Sequence, residues 1–237
     1  MKKLLFAFLA MGMLAACNNS PAGTDEKKEG TDTTAQKEVK DTVEQGPKGY
    51  AIGDAVEDFK LKNIDGKMLS MADFKDAKGF VLIFTCNHCP FSIAYQDRII
   101  AFDKAYKKKG YPVIAINPND PKMEAAVEDS YELMQKRAKE KGFSFPYLFD
   151  DGQNVFPKFA ASKTPDCFIV QKTDAGLKMV YKGAFDDAKD DKKVTKKYIQ
   201  DAVEALLAGK TPDPAETKAF GCGIKCEDKT KLKPKKD

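Results

Sequence analysis

This sequence of 237 residues lacks internal repeats and a large excess of either charge, and it contains little histidine and arginine. Its 40 Lys and Arg residues nearly cancel 36 Asp and Glu, which leaves a formal net charge of +4. The lysine runs are mixed with acidic residues, so the clustered basic surface typical of nucleic-acid binding is not indicated and no nucleic-acid partner is expected. A second Cys-x-x-Cys motif is also missing, which argues against a zinc site built from two such motifs.

The first 17 residues are organised like an export signal. Two lysines follow the initiating methionine, and residues 4–14 form an apolar run that is too short for a permanent membrane span. The run ends in Leu-Ala-Ala-Cys at Cys17, which resembles a bacterial lipobox. The resemblance implies that Cys17 is acylated, which predicts a lipid anchor to a membrane and a periplasm-facing position in the cell envelope. A plain signal peptide with an incidental cysteine is the alternative.

Composition divides the rest of the chain into three parts. Residues 18–47 contain almost no large apolar side chains, so they cannot bury enough surface to offset the entropy lost on ordering. This part is predicted to be a flexible linker. Residues 48–226 have regular apolar patterning and are predicted to form one folded domain, whereas residues 227–237 form a charged, lysine-rich tail.

Within the predicted domain, apolar runs alternate with helical patterns. Strands are favoured over residues 59–62, 80–84, 113–116, 145–149, 167–170 and 177–181. Helices are favoured from Cys86 to about residue 109 and over residues 123–141, 153–161 and 194–208. Asp65-Gly66 predicts a hairpin turn, and Val127, Leu133 and Met134 are expected on one side of the second helix. The order of elements predicts an α/β fold with a mixed β-sheet flanked by helices.

The segment Cys86-Asn87-His88-Cys89-Pro90 lies where a buried strand ends and a helix is predicted to begin. The spacing of the two cysteines places both thiols in the first turn, close enough to form a disulfide. Unpaired amides at a helix N-terminus favour a thiolate, which predicts Cys86 as the nucleophile and Cys89 as the more buried resolving thiol. The motif therefore indicates a redox-active disulfide that needs no further cofactor.

His88 is the only histidine of the chain, and it lies between the two cysteines. Its imidazole can place a proton or a positive charge near the Cys86 thiolate, which would make the disulfide more oxidising. An exposed helix residue without a redox role is the alternative. A zinc site made from Cys86, Cys89, Cys222 and Cys226 also stays open, although a strand followed by Cys-x-x-Cys and a helix favours redox chemistry.

Thr164-Pro165 precedes the strand that begins at Cys167, about 75 residues beyond the cysteine motif. It resembles the cis-proline loop of the thioredoxin superfamily. The resemblance implies a thioredoxin-like fold in which Pro165 faces the redox disulfide and Thr164 offers its backbone to a bound substrate strand. An ordinary trans proline at a strand start is the alternative. Cys167 itself is predicted to be a buried strand residue.

Several short segments resemble the peroxiredoxin-like, or redoxin, branch of that superfamily over most of the domain. They are Ile52-Gly53-Asp54, residues 115–120, Asp129-Ser130, residues 145–148 and residues 221–225. In that branch an aromatic residue often stands where this chain has Cys226. The departure favours a local Cys222–Cys226 disulfide, or a second thiol pair that exchanges with the first.

The resemblance implies a thiol–disulfide oxidoreductase that acts outside the cytoplasm on protein thiols or disulfides. Thr164 resembles reducing members and His88 resembles oxidising ones, so the direction of the reaction stays open. A thiol peroxidase would need a threonine three residues before its reactive cysteine and a nearby arginine, but Cys86 stands three residues before Cys89. A copper chaperone on the same fold is also disfavoured, because it would need a histidine distant from the cysteine motif.

Overall fold

The computed structural model describes residues 48–232. The predicted signal segment with Cys17, the predicted linker and the last five residues of the tail lie outside the described residues. No helix among the described residues has the length and apolar character needed to cross a bilayer.

A seven-stranded mixed sheet forms the centre of the domain. Its strands are β1 Leu61–Asn63, β2 Met68–Leu69, β3 Gly79–Phe84, β4 Val113–Asn117, β5 Tyr147–Phe149, β7 Asp166–Thr173 and β8 Gly176–Gly183. They lie in the order β2-β1-β5-β4-β3-β7-β8. Strands β3, β4 and β5 are parallel to one another, whereas β1, β7 and β8 each run antiparallel to a neighbour. The mixed sheet predicted from the sequence is confirmed, and β1 and β2 form the hairpin expected at Asp65-Gly66.

A second, two-stranded sheet joins β6, Lys163–Thr164, to β9, Cys222–Gly223. The sequence did not predict β6 or β9. Because β9 comes from near the end of the chain, this small sheet brings residues that are far apart in sequence to the cis-proline loop.

Within residues 48–232, three α-helices accompany the sheet: α1 Pro90–Tyr106, α2 Tyr131–Lys141 and α3 Tyr198–Leu207. The predicted helix over residues 123–141 was wrong in its first half, which is a 3-10 segment, Glu124–Asp129. The backbone of Ser130 is extended, and its side chain caps α2 by accepting a hydrogen bond from the Leu133 amide at 3.3 Å. The other predicted helices are shorter than expected, and residues 153–161 contain only the 3-10 segment Phe156–Phe159.

The strand β3 is buried along its whole length and contributes alternate side chains to two apolar clusters. Val81 and Ile83 pack in the cluster that includes residues of α1 and α3, whereas Phe80, Leu82 and Phe84 pack in the other. Successive side chains of a strand point to opposite faces, so β3 forms the centre of a core on both sides of the sheet.

The break before α2 changes which side chains reach the core. Met134 is buried as predicted, but Val127 and Leu133 are 56% and 39% exposed, so the expected apolar side is wrong for these two residues. A 3-10 segment has three residues per turn, and the helical spacing from Val127 to Met134 therefore does not carry across Ser130. Leu133 belongs to α2 itself and lies about 100° around the helix from its neighbour Met134.

The candidate functional residues lie where β3 and β4 end. Both parallel strands end at the same edge of the sheet, and the segment after β3 carries Cys86 whereas the segment after β4 carries Asn119. The peptide bond between Thr164 and Pro165 is cis, as predicted, and lies directly before β7, which pairs with β3.

Candidate active site

Cys86 lies in the short segment between β3 and α1, outside the helical turn that the sequence predicted for it. The helix begins at Pro90, and Cys89 is its N-cap residue. Both cysteines are enclosed, with exposures of 2% for Cys86 and 0% for Cys89. The Cys86 sulfur lies 3.3 Å from the Thr164 hydroxyl and 3.7 Å from that of Ser92.

Cys89 forms a disulfide with Cys222, with their Cα atoms 6.0 Å apart. This pairing differs from both predicted ones, because Cys86 and Cys226 are free thiols. The cause is the small sheet: Cys222 pairs with Thr164, and the Thr164 carbonyl oxygen lies 3.2 Å from the Cys89 sulfur. The Cys226 side chain is buried elsewhere, with its sulfur 3.2 Å from the Asp228 carbonyl oxygen.

Cys167 is a free, fully buried strand residue, as expected, and burial raises the pKa of its thiol well above the ordinary value. The four-cysteine zinc alternative is not supported, because Cys89 and Cys222 are joined in a disulfide and the Cys226 sulfur contacts Asp228 instead.

The imidazole of His88 is held by the buried carboxylate of Asp129. Nδ1 of His88 lies 2.6 Å from one carboxylate oxygen, and an ionised carboxylate can only accept, so Nδ1 carries the shared proton. The same oxygen accepts from the side-chain amide of Asn119 at 2.7 Å, and the other oxygen accepts from the Asn87 backbone N–H at 2.7 Å. Asp129 is therefore fully hydrogen-bonded although it is buried.

The Cys86 sulfur and the Asp129 carboxylate together raise the pKa of His88 from an ordinary 6.5 to about 9. The largest cause is the hydrogen bond with Cys86, and the negative charge of Asp129 adds to it, whereas burial acts in the opposite direction. At neutral pH His88 is therefore an imidazolium, between a sulfur and a carboxylate. Ligand atoms of Cys86, His88 and Asp129 lie within 4.8 Å of one another. A nucleophile, a proton-carrying group and a third group that orients it are the parts of an activated thiol.

The 3-10 segment before α2 is tied to the cysteine motif by further hydrogen bonds. The Asn87 side chain donates to the Glu128 carbonyl at 2.8 Å and accepts from the Tyr147 hydroxyl at 3.1 Å. The side-chain amide of Asn117 donates to the Asp129 carbonyl at 3.2 Å. These contacts position the Asp129 carboxylate against His88.

Sequence reasoning named Asp129 only as part of a resemblance and gave it no role at the site. A polar Asp-Ser pair before a helix is an ordinary capping signal, and nothing local indicates that its carboxylate reaches a histidine 41 residues earlier. Asn119 was likewise singled out only as part of a loop segment. The predicted residues Cys86, His88, Cys89, Thr164 and Pro165 do come together, whereas Cys226 does not join them.

Residues 52–175, slightly more than half of the chain, match the family model described as the AhpC/TSA family. The chain belongs to the AhpC/TSA family. A thioredoxin-like redoxin domain was predicted from the sequence, and this assignment is confirmed.

Two solved structures resemble most of the chain. An uncharacterized conserved protein from Geobacillus kaustophilus is 36% identical, with 75% of this chain and 93% of that chain covered and a TM-score of 0.68. A hypothetical protein from Sinorhizobium meliloti is 32% identical, with 78% and 99% covered and a TM-score of 0.69. The thiol-disulfide oxidoreductase ResA of Halalkalibacterium halodurans is 23% identical over 120 residues, which span 51% of this chain and 62% of that relative.

Proposed function

We propose that this AhpC/TSA-family protein is a thiol–disulfide oxidoreductase that acts through Cys86 and Cys89 on protein thiols or disulfides. The observation that carries the proposal is the free thiol of Cys86 beside an imidazolium, His88, that the buried Asp129 carboxylate orients. The relative named as a thiol-disulfide oxidoreductase supports the same class of reaction.

In the reducing direction, a dithiol partner first reduces the Cys89–Cys222 disulfide and is itself oxidised to a disulfide. The Cys86 thiolate then attacks one sulfur of a substrate disulfide. A mixed disulfide forms, the substrate S–S bond breaks, and the first substrate sulfur leaves as a thiolate that takes a proton from solvent. The Cys89 thiolate then attacks the Cys86 sulfur, which forms Cys86–Cys89 and releases the second substrate thiolate. The oxidising direction is the same sequence in reverse, and the reduction potentials of the pair and its partner decide between them.

His88 and Thr164 have separate roles in this scheme. The imidazolium stabilises a thiolate on Cys86, so it favours the reduced protein and makes the Cys86–Cys89 disulfide more oxidising. Thr164 contacts both sulfurs, with its hydroxyl near Cys86 and its carbonyl near Cys89. It therefore holds the two sulfurs on the same side of the cis-proline loop.

Insulin-disulfide reduction with dithiothreitol tests the proposal. The Cys86→Ser variant should lose the catalysed rate, because oxygen is a far poorer nucleophile toward sulfur than a thiolate. Cys167→Ala is the matched control, since it removes another buried, free thiol and should retain activity. Full activity in Cys86→Ser would disprove the assignment of the nucleophile.

A thiol peroxidase is the second candidate, and the burial of Cys86 favours it because only a small oxidant would reach so enclosed a thiol. The motif argues against it, because Cys86 stands where such an enzyme needs a threonine. The arginines divide: Arg98 is bound to Asp186, whereas Arg137 lies beside the motif and donates to the Asn87 carbonyl at 3.5 Å. Consumption of hydrogen peroxide by the same preparations separates the two functions, and titration with Cu(I) tests the copper-binding alternative.

The lipid anchor is part of the proposal as well. A protein tethered through Cys17 at the periplasmic side would work in an oxidising compartment, where disulfides persist. Replacement of Cys17 by Ser should move the protein from the membrane fraction to the soluble fraction after cell lysis. Unchanged membrane recovery of the variant would argue against acylation of Cys17.

A further inference from the structure

We infer that Cys222 is a third redox cysteine, and that the segment carrying it is an internal strand that exchanges between bound and released states. This capping segment, residues 220–226, lies along the Thr164 edge of the cis-proline loop. The inference rests on the proposed function and extends it to a residue far outside the cysteine motif.

The backbone of the capping segment is fitted closely to the cis-proline loop. Within the β6–β9 sheet, Cys222 lies opposite Thr164, and the Ile224 amide donates to the Ser162 carbonyl at 3.2 Å. A Cβ atom on Gly221 would lie only 2.3 Å from the Thr164 carbonyl oxygen. Only glycine allows so close an approach of the two backbones. The segment thus covers the backbone edge at Thr164, where no other strand could pair while it is in place.

Side chains at both ends hold the capping segment in place. The Phe220 ring packs against Phe91 of α1, with ring centroids 6.1 Å apart, and Ile224 is buried in the core. The Lys225 amide donates to the side-chain oxygen of Asn119 at 2.7 Å, and Asn119 in turn donates to Asp129. The capping segment is therefore connected by hydrogen bonds to the carboxylate that orients the active-site imidazole.

The three cysteines differ in how easily an external thiol can reach them. Cys86 and Cys89 are enclosed, whereas Cys222 is partly exposed. An external thiol would therefore reach the Cys89–Cys222 disulfide from the Cys222 side. Cys86 and Cys89 are both buried and both contact Thr164, so an attack by the Cys86 thiol on the same disulfide would come from the enclosed side.

The exchange needs no external oxidant or reductant. The Cys86 thiolate attacks the sulfur of Cys89, the Cys86–Cys89 bond forms, and the Cys89–Cys222 bond breaks. Cys222 leaves as a thiolate and takes a proton from solvent, so the protein keeps one disulfide throughout. Release of Cys222 removes the covalent hold on the capping segment and frees the Thr164 edge for an incoming substrate strand.

Disulfide mapping of the full chain tests this exchange. The oxidised protein is incubated at pH 8 without added thiol, quenched with acid, labelled with N-ethylmaleimide and analysed by peptide mass spectrometry. In the wild type we expect two isomers, one with Cys86 labelled and one with Cys222 labelled, at a constant total of free thiols. In Cys86→Ser, Cys222 should never be labelled, because the attacking sulfur is gone.

Two glycines of the capping segment provide a matched pair of variants. Gly221→Ala would force the segment away from Thr164, so the ratio of Cys86–Cys89 to Cys89–Cys222 should rise by about tenfold or more. A Cβ on Gly223 would meet no described atom within 4 Å, so Gly223→Ala should leave the ratio within about twofold of wild type. Cys226→Ser, which removes a free thiol four residues from Cys222, should also behave like wild type.

The outcomes separate this inference from the proposed function. If Cys222 is unlabelled in both the wild type and Gly221→Ala while the wild type reduces insulin, the exchange is refuted and the oxidoreductase proposal stands. If Cys86→Ser reduces insulin at the wild-type rate, the proposed function itself fails. If Cys222 is labelled in Cys86→Ser under these conditions, Cys86 is not the attacking thiol and the inference fails.

Discussion

The imidazole of His88 can be titrated without ambiguity, because it is the only one in the chain. The structure gives it two supports, the Cys86 sulfur and the Asp129 carboxylate, which together raise the pKa of His88 to about 9. Asp129→Asn keeps the size of the side chain but removes its negative charge and replaces one acceptor oxygen with a donating NH2 group. The pKa of His88 should therefore fall. Cys86→Ser should lower it further, because the contact with Cys86 is the larger cause.

The expected effect is large enough to measure directly. With a pKa of about 9, the imidazole is about 99% protonated at pH 7 and about nine-tenths protonated at pH 8. Loss of the Asp129 charge should reduce the protonated fraction at pH 8 to about half or less. By linkage, the same change removes positive charge beside Cys86 at pH 8 and should slow its alkylation by iodoacetamide at that pH.

Two-bond ¹H–¹⁵N correlation spectra of untagged, ¹⁵N-labelled protein, recorded from pH 5 to pH 11, follow both ring nitrogens. They also report whether Nδ1 keeps its proton above the transition, as the contact with Asp129 requires. Asp151→Asn is the matched control, because Asp151 is exposed and should leave the titration unchanged. A wild-type midpoint near 6.5, or an Asp129→Asn curve identical to wild type, would refute the reasoning.

Three further predictions concern stability, each measured as a free energy of unfolding or a melting temperature. The stabilisation that a raised pKa of about 9 gives to protonated His88 is complete below about pH 6.5 and is lost as the pH rises through 9. Reduced wild type should therefore exceed His88→Gln by about 1 kcal/mol at pH 6, after allowance for solvent screening, and match it above pH 9. Burial raises the pKa of Asp166 to about 7, so the wild type should lose stability from about pH 4 to pH 7, and Asp166→Asn should be about 2 kcal/mol more stable at pH 8. Gly183→Ala would place a Cβ 2.2 Å from the Thr217 carbonyl oxygen at a φ of +137°, and should lower the melting temperature by about 5 °C or more.

Each of these predictions has a contradicting outcome. A constant difference between wild type and His88→Gln across the pH range would mean that protonation of the imidazole does not contribute. Equal pH profiles for wild type and Asp166→Asn would mean that the carboxyl ionises normally. Gly176→Ala controls for backbone strain, since Gly176 also has a positive φ of +115° but a Cβ there meets no described atom within 4 Å. An equal loss in both glycine variants would rule out the contact with Thr217.

The central strands could be predicted because each one is a continuous apolar run. The expected strand over residues 80–84 corresponds to β3, Gly79–Phe84, and the strand over residues 113–116 corresponds to β4, Val113–Asn117. A strand that is covered on both faces needs apolar side chains at every position, so its local pattern predicts its buried place in the sheet. The cis-proline loop was predicted from its resemblance to a known family, which carries information that periodicity does not.

The second helix shows where local pattern is insufficient. Residues 123–141 have helical spacing, yet the chain is extended at Ser130 and α2 begins only at Tyr131. The conformation of the preceding 3-10 segment is instead set by its contacts with the cysteine motif, which include the buried hydrogen bonds of Asp129. Tertiary hydrogen bonds of buried groups outweigh the small helix propensity differences along such a segment.

By itself, the sequence determined which groups are available for the chemistry: two cysteines and the single histidine at a strand–helix junction, and the Thr164-Pro165 loop that accompanies them. Only the tertiary structure decided their partners, which are Asp129 for His88 and Cys222 for Cys89. The first pair joins residues 41 positions apart and the second joins residues 133 positions apart. Contacts over such separations form because loops and strand ends come together at one edge of the sheet. Residue spacing and local propensity report only on neighbouring residues, so they do not predict such contacts.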